Sequence, residues 1–521
     1  MGEVAPQHSP SVKRFFTKKT SCAALMMGES MSNDVPTFRF LAHSRLPEPG
    51  RDYDPEVHRY SAAYVNPDGY GLTVDAFPGA DVVEVIEDPE PQQGGPDNQE
   101  PIIIKRLRVP ADTVAFDFTI RRSSGGFEQT VSRRIERLEG VINEAQSNAA
   151  WKLGVTVPMQ GTYTCSVRLR NQSGTGPTRE ASLALRDRLV VVLGDSFASG
   201  EGNPDEPGEV SGILGEGVCE NATANIVIKR TAPMRRVASW LEPRGHRSMR
   251  SGHVRGSDAA QDLERGRVVT LLSFATSGAE VERGLLSAQH DWQSALGGQV
   301  EEAKRAIGNR PVDALLLSIG GNDVGFASGL EGLAGDWRDG GRDEMVRSTR
   351  QRIDALADCF EKMATQVQSL VNPRRVYITE YPAGMFDKRD PSGRSLGVRG
   401  DGCGVFDSGI FMRVSIDDAE AIFDLAHQLN DQIKRAADRY GWTYLDGIAE
   451  GFAGHGYCMT GVDRFFVLAE ESCHSQGDLR ARCTRTSAAT RCTKRSLRMC
   501  CDGSSRMVLS SAQDAWSRSC T

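Results

Sequence analysis

A serine, a glycine and an asparagine each close a separate apolar run of this 521-residue chain. Ser196 follows "RLVVVLGD", Gly278 follows "RVVTLLSFATS", and Asn322 lies in "ALLLSIGGND". Together these residue types suit one chemistry. A serine hydroxyl that attacks a carbonyl carbon creates an oxyanion, which needs preorganised donors about 3 Å away. The backbone N–H of Ser196, the backbone N–H of Gly278 and the side-chain amide of Asn322 are three candidate donors. Glycine at 278 lets the main chain approach closely, and asparagine donates without net charge. Any one of the three alone reads as an ordinary strand-terminal turn. All three, each at a strand end, point to acyl transfer.

The elements that must position them alternate in type from residue 188 onward. "RLVVVLGD", "RVVTLLSFAT", "VDALLLSIGGND", "RRVYITEYP" and "GWTYLDG" read as buried strands. Ile353, Leu356, Phe360, Met363, Val367 and Leu370 mark one amphipathic helix. Ile422, Leu425, Leu429, Ile433 and Ala436 mark a second. Such alternation predicts an α/β fold: a parallel sheet with helices on both faces and a site beyond the carboxyl ends of the strands. Residues 46–187 read differently. "IIIKRLRV", "TVAFDFTI" and "GTYTCSVRLRN" have the composition and alternation of strands. They predict a β-sandwich accessory domain; the Gly-x-Tyr-x-Cys turn resembles a late strand of an immunoglobulin-like sandwich, without a second cysteine placed for its bridge.

With these blocks in place, residues 188–480 resemble the SGNH, or GDSL-like, hydrolases. "GDSFASGEGN" is similar to the first block of that family, Gly278 to its second and "GGND" to its third. The secreted bacterial esterase branch has similar "GDS-x-x-SGEGNP", "SGA" and "GHGYC" stretches. The resemblance implies a flavodoxin-like, three-layer α/β/α domain and a Ser196 nucleophile with Ser196, Gly278 and Asn322 as oxyanion donors. It implies carboxylic esters as substrates, small or lipid, with acylated polysaccharide as another option, and no metal or organic cofactor. It also implies export. In "GHRS", Gly245 stands where that branch has a cysteine.

The family takes its base from a histidine in a C-terminal "D-x-x-H" or "G-T-x-HPN-x-x-GH" block, just after "QGD". Here "SCHSQGDLR" is followed by 41 residues without histidine, carrying five cysteines, eight basic residues and two acidic ones. Read one nucleotide out of phase, "ARCTRTSAAT" can encode "TLHPNVSGH", preceded by glycine if Arg480 is CGG. A single-base loss near codon 480 therefore accounts for residues 481–521 as an aberrant tail; a genuine cysteine-rich extension is the alternative. His474 and His455 are the remaining candidates for the base, although "GHGYC" also reads as a structural turn, with Cys458 as a disulfide partner. His246 and His253 fall in the insertion between the first two blocks, where they line a cleft or face solvent. Asp195 is expected to shape its turn and Asp323 to anchor its loop.

Composition narrows the alternatives. A net charge of −7 gives no reason to expect nucleic acid, and no apolar run is long enough to span a membrane. The apolar core in "VKRFFTKKTSCAALMMG" is too short for a convincing signal peptide, and residues 1–45 are expected to be disordered or to precede the true start. Three readings follow: an ester hydrolase impaired by loss of its histidine, a deacetylase or phospholipase of the same mechanism, and a non-catalytic binding protein that works through the sandwich.

Overall fold

The computed structural model describes residues 39–76, 82–87, 102–108, 112–134, 141–143, 151–210, 219–222, 227–230, 234–261, 265–290, 295–325, 341–389, 395–397, 403–407 and 410–476. The expectations for residues 1–38 and for the tail 481–521 lie outside them.

Two antiparallel sheets share the core of the N-terminal part, and the strands Val82–Glu87, Ile102–Arg108 and Val141–Asn143 form a separate antiparallel sheet. In one of the first two, β1 (Arg39–Ala42) and β5 (Lys152–Val157) flank β2 (Tyr70–Asp75). The other contains β3 (Thr113–Arg122), β4 (Glu128–Arg134), β6 (Gly161–Asn171) and the start of β7 (Thr178–Gly194). Alternate residues of both sheets, among them Phe40, Leu72, Val155, Phe118, Cys165 and Leu185, bury into one core. Residues 39–42 belong to the segment expected to be disordered or to precede the true start. Instead they form β1, because Phe40 and Ala42 point into that core; four residues are too few to show a period. "IIIKRLRV" falls on the strand Ile102–Arg108.

The second half of β7 is the centre of a parallel sheet. Beside it run β8 (Arg267–Ser273) and β9 (Ala314–Ser318), followed by β10 (Val376–Thr379) and β11 (Thr443–Leu445). Taken in chain order, the five strands stand 2-1-3-4-5, the flavodoxin-like arrangement. The continuous apolar run of β7 follows from burial on both faces: Leu189, Val191 and Leu193 enter one core, Val190 and Val192 the other. The first core is closed by α4 (Gln299–Ile307), α5 (Gly341–Gln366) and α6 (Ile416–Tyr440). Across the sheet lie α2 (Ser196–Ser199) and α3 (Gly252–Gln261), through Ala198 and Val254. This is the expected α/β architecture with both faces covered. No helix among the described residues is long and apolar enough to cross a membrane.

Two features depart from the expected division at 187/188. That boundary falls inside β7, one continuous strand shared by both halves. Residues 46–66 were assigned with the sandwich, yet Tyr53, Tyr60, Tyr64 and Val65, the last two on the helical turn α1 (Ala62–Val65), belong to the core of the parallel sheet.

Candidate active site

The strand ends that carry Ser196, Gly278 and Asn322 are tied to one another by main-chain bonds. Gly194 O accepts the Thr276 N–H at 3.0 Å, and the Asp195 N–H donates to Ser318 O at 2.9 Å. Buried Gln299 holds both polar groups of Gly194, at 2.8 and 2.9 Å. Residue 194 must be glycine: its φ is +139°, and a Cβ there would lie 2.1 Å from Ser318 O.

Ser196 is the first residue of α2, and Asp195 caps it, with Oδ1 accepting the Phe197 N–H at 3.0 Å. Such a cap contributes about 1 kcal/mol, and it orients the Ser196 turn. Gly278 is exposed at φ +79°, in a turn closed by the Ala279 N–H to Thr276 O at 3.1 Å. Asn322 donates one amide hydrogen to Ala279 O at 2.9 Å, which sets its side chain against that turn. Asp323 secures the same pair of loops, its carboxylate accepting the Val281 N–H at 3.0 Å. Burial pushes Asp323 up to about 6; the Val281 N–H opposes the shift and Glu280 and Glu282 add to it. With the folded value above the unfolded one, this group favours the fold most at low pH, and that contribution is lost as pH rises through about 6. The Asp323→Asn variant is therefore expected to remove a decline in thermal midpoint between about pH 4 and 7. A wild-type minus variant difference that stays flat over that window would contradict the assignment.

Two residues missed in the sequence complete the frame. Tyr381, beyond β10, donates its hydroxyl to Asp195 Oδ2, accepts the Gly321 N–H at 3.1 Å and stacks edge-on to Phe197. One phenol thus links the Ser196 turn to the Asn322 turn. Glu201 is fully buried, with its carboxylate on His246 Nδ1 at 2.8 and 3.0 Å. Burial alone would raise its pKa, but the His246 imidazole and the side chains of Ser277 and Gln476 hold it below the ordinary carboxylate value. The His246 ring lies parallel to Trp240 at 4.5 Å. His246 and His253 are both buried, which removes the solvent-facing alternative of the two expected for them. The only sequence signal for Glu201 was a carboxylate inside a glycine-rich loop; nothing local marked Tyr381.

The two candidate bases lie on later parts of the chain. His455 follows β11 at the far edge of the sheet, its Nδ1 on Asp463 O at 2.7 Å and its ring flat on Phe465 at 3.9 Å. Its turn is packed on the main chain of Asp387, with the Gly456 N–H on Asp387 O at 2.8 Å, and Cys458 is disulfide-bonded. His474 lies on α8 (Ala469–Gln476), which follows the short helix α7 (Ile448–Phe452); its side chain is outside the described residues. The last residue of α8, Gln476, donates to Glu201 Oε1 at 2.6 Å. Glu201 in turn donates its N–H to Ser196 O at 3.1 Å, so α8 ends against the Ser196 loop.

No family model matches the chain, and no curated protein matches it. Among solved structures it is similar to phospholipase A1 from Streptomyces albidoflavus NA297, at 18% identity and a TM-score of 0.36, over 60% of this chain and 97% of that one. An extracellular lipase from Streptomyces rimosus matches at 18% identity and a TM-score of 0.35, over 57% and 95% of the two chains. A carbohydrate acetylesterase family member from Sinorhizobium meliloti matches at 10% and 0.25, over 60% and 96%.

Proposed function

We propose that the chain is a serine-dependent carboxylic-ester hydrolase of the SGNH type, acting through an acyl-enzyme on Ser196 and impaired as written by loss of its C-terminal histidine. The observation that carries this reading is the clasp between the Asn322 amide and Ala279 O, which brings a neutral side-chain donor beside the Gly278 turn at the end of the strand next to Ser196. In the proposed reaction Ser196 Oγ bonds to the acyl carbon, and the carbonyl electrons move to an oxyanion held by the Ser196 N–H, the Gly278 N–H and Asn322. The ester C–O bond then breaks, and the hydroxyl proton passes through a base to the departing alcohol. Water repeats the sequence on the acyl-enzyme and releases the acid. Acetyl and phospholipid esters fit the same steps.

The base belongs in the segment that follows Gln476. Gln476, the last described residue before it, bonds Glu201 in the Ser196 loop, which supports the out-of-phase "GTLHPNVSGH" as its intact form. The N-terminal sheets are proposed as an immunoglobulin-like accessory unit. Its support is a tyrosine corner: the Tyr163 hydroxyl donates to Met159 O at 2.7 Å, two residues before Cys165. Cys165 itself is a free, buried thiol, pushed up to about 12 by desolvation.

A fluorophosphonate ester tests the nucleophile directly. The full chain is expected to become labelled, slowly, with the added mass on the peptide containing Ser196 and none on Ser196→Ala. Labelling at another serine, or none even after the histidine block is restored, would sink the hydrolase reading in favour of a binding protein.

A further inference from the structure

Among the described residues β7 is the one full strand paired with β8; on its outward side β8 meets a single parallel bridge, Arg45 to Thr270, and no further strand. An open strand edge is costly when buried and adhesive when exposed. Here residues 45–64 cover it at alternate positions. The Arg45 N–H donates to Val269 O at 2.9 Å. Two residues along, the Tyr64 hydroxyl donates to Leu271 O at 2.9 Å and accepts the Leu271 N–H at 3.3 Å. Two further on, the Tyr60 hydroxyl donates to Ser273 O at 2.9 Å and accepts the Ser273 N–H at 2.8 Å. The next position, Ala275 O, accepts from Arg247 Nε at 2.8 Å, and Arg247 Nη1 donates to the Tyr53 hydroxyl at 3.1 Å. The spacing is that of the strand itself, since every second residue presents its polar groups to the same side.

The rings make this one unit. Tyr53 and Tyr60 meet edge to face at 4.9 Å, and Tyr60 and Tyr64 stack at 5.8 Å. The Arg247 guanidinium lies over the Tyr53 and Phe274 rings at 5.9 and 6.0 Å. Burial pushes the Tyr53 phenol up to about 12, and keeps the other two above their usual value as well, so the hydroxyls remain protonated donors. Arg247 reaches Thr276 Oγ1 at 3.5 Å, and its loop supplies Gly245 O to the Ser277 N–H at 2.9 Å. Ala275 O and the Ser277 N–H, on the way into Gly278, are thus held by Arg247 and its loop, while the Phe274 and Thr276 N–H groups are held by β7.

We propose that this tyrosine ladder makes residues 45–66 a working part of the hydrolytic unit: it seals the edge of β8 and, with Tyr53 and Arg247 as positioning residues, holds the loop carrying Gly278 where an oxyanion donor must stand. The inference rests on the proposed oxyanion role of Gly278.

The test compares the full chain with Tyr53→Phe, which removes only the oxygen that receives Arg247, and Arg247→Lys. Lysine keeps the buried charge but lacks the planar fork that reaches three partners at once. Two quantities are read: amide hydrogen exchange over 270–285, and the rate of Ser196 labelling by the fluorophosphonate, split into reagent affinity and maximal rate. In both variants exchange at 275–279 is expected to rise about tenfold and maximal labelling to fall about tenfold at unchanged reagent affinity. Unchanged exchange at 275–279 overturns the ladder's hold on the loop. Faster exchange there with unchanged labelling overturns its catalytic purpose. If the unsubstituted chain, with its histidine block restored, does not label at all, the hydrolase reading fails, and exchange alone decides whether the ladder holds the loop.

Discussion

A gene for this chain carrying one added base between codons 480 and 481 is expected to give a protein that hydrolyses p-nitrophenyl esters faster by a factor on the order of a thousand or more. A serine hydroxyl is a poor nucleophile until a base takes its proton, and the written tail supplies no histidine after His474. Oxyanion donors left in place sustain only residual catalysis. With the codons that the out-of-phase reading requires, an added G gives "GTLHPNVSGH" directly after Arg480, a few residues beyond the point where Gln476 meets Glu201. Glycine, not aspartate, would stand three residues before the restored histidine, so a backbone carbonyl would orient the imidazole in a serine–histidine dyad. Replacing the first restored histidine by alanine should return the rate to that of the chain as written. Equal rates with and without the added base, in proteins of equal thermal midpoint, would refute the assignment.

In the restored protein, Asn322→Ala is expected to lower kcat by roughly 100- to 1000-fold with little change in KM. The oxyanion exists only after attack, so its donor stabilises the transition state and not the bound ester. An amide NH2 carries two donor hydrogens. One is used on Ala279 O at 2.9 Å, which fixes the side chain, and the other is assigned to the oxyanion. Asn322→Asp separates donor from anchor: it keeps the shape, loses both hydrogens and adds a charge that repels the oxyanion. It should be at least as slow as the alanine variant. An aspartate variant that retained activity would show that Asn322 acts by packing alone.

Contacts between distant segments also have consequences for the Ser196 loop. Tyr381 joins two turns through one hydroxyl, and Glu201 gathers His246 and Gln476 on one buried carboxylate. Removing one partner from such a set leaves a buried polar group unsatisfied, at a cost of about 1–3 kcal/mol. Substitutions at these positions therefore affect the site and the fold together.

The strands β7, β8 and β9 were legible because burial on both faces leaves a continuous apolar run, and the helices α5 and α6 because their buried positions recur every three to four residues. Ser196, Gly278 and Asn322 were legible for a related reason: a strand must end in turn residues, and those endings are local. What spans long stretches of chain was not. The Arg247–Tyr53 bond joins residues 194 apart, Tyr381–Asp195 186 apart and Gln476–Glu201 275 apart. No local period records such pairs, because each depends on where two distant segments come to rest. The placement of residues 46–66 shows the same limit. Their tyrosines carry no strand or helix pattern, and only the open edge of β8 gives those hydroxyls a place. Sequence alone thus determined the α/β layering and the polar strand ends, since both follow from neighbours along the chain. Tertiary structure decided which distant side chains hold those ends in place, because a buried hydrogen bond is specified by proximity in space.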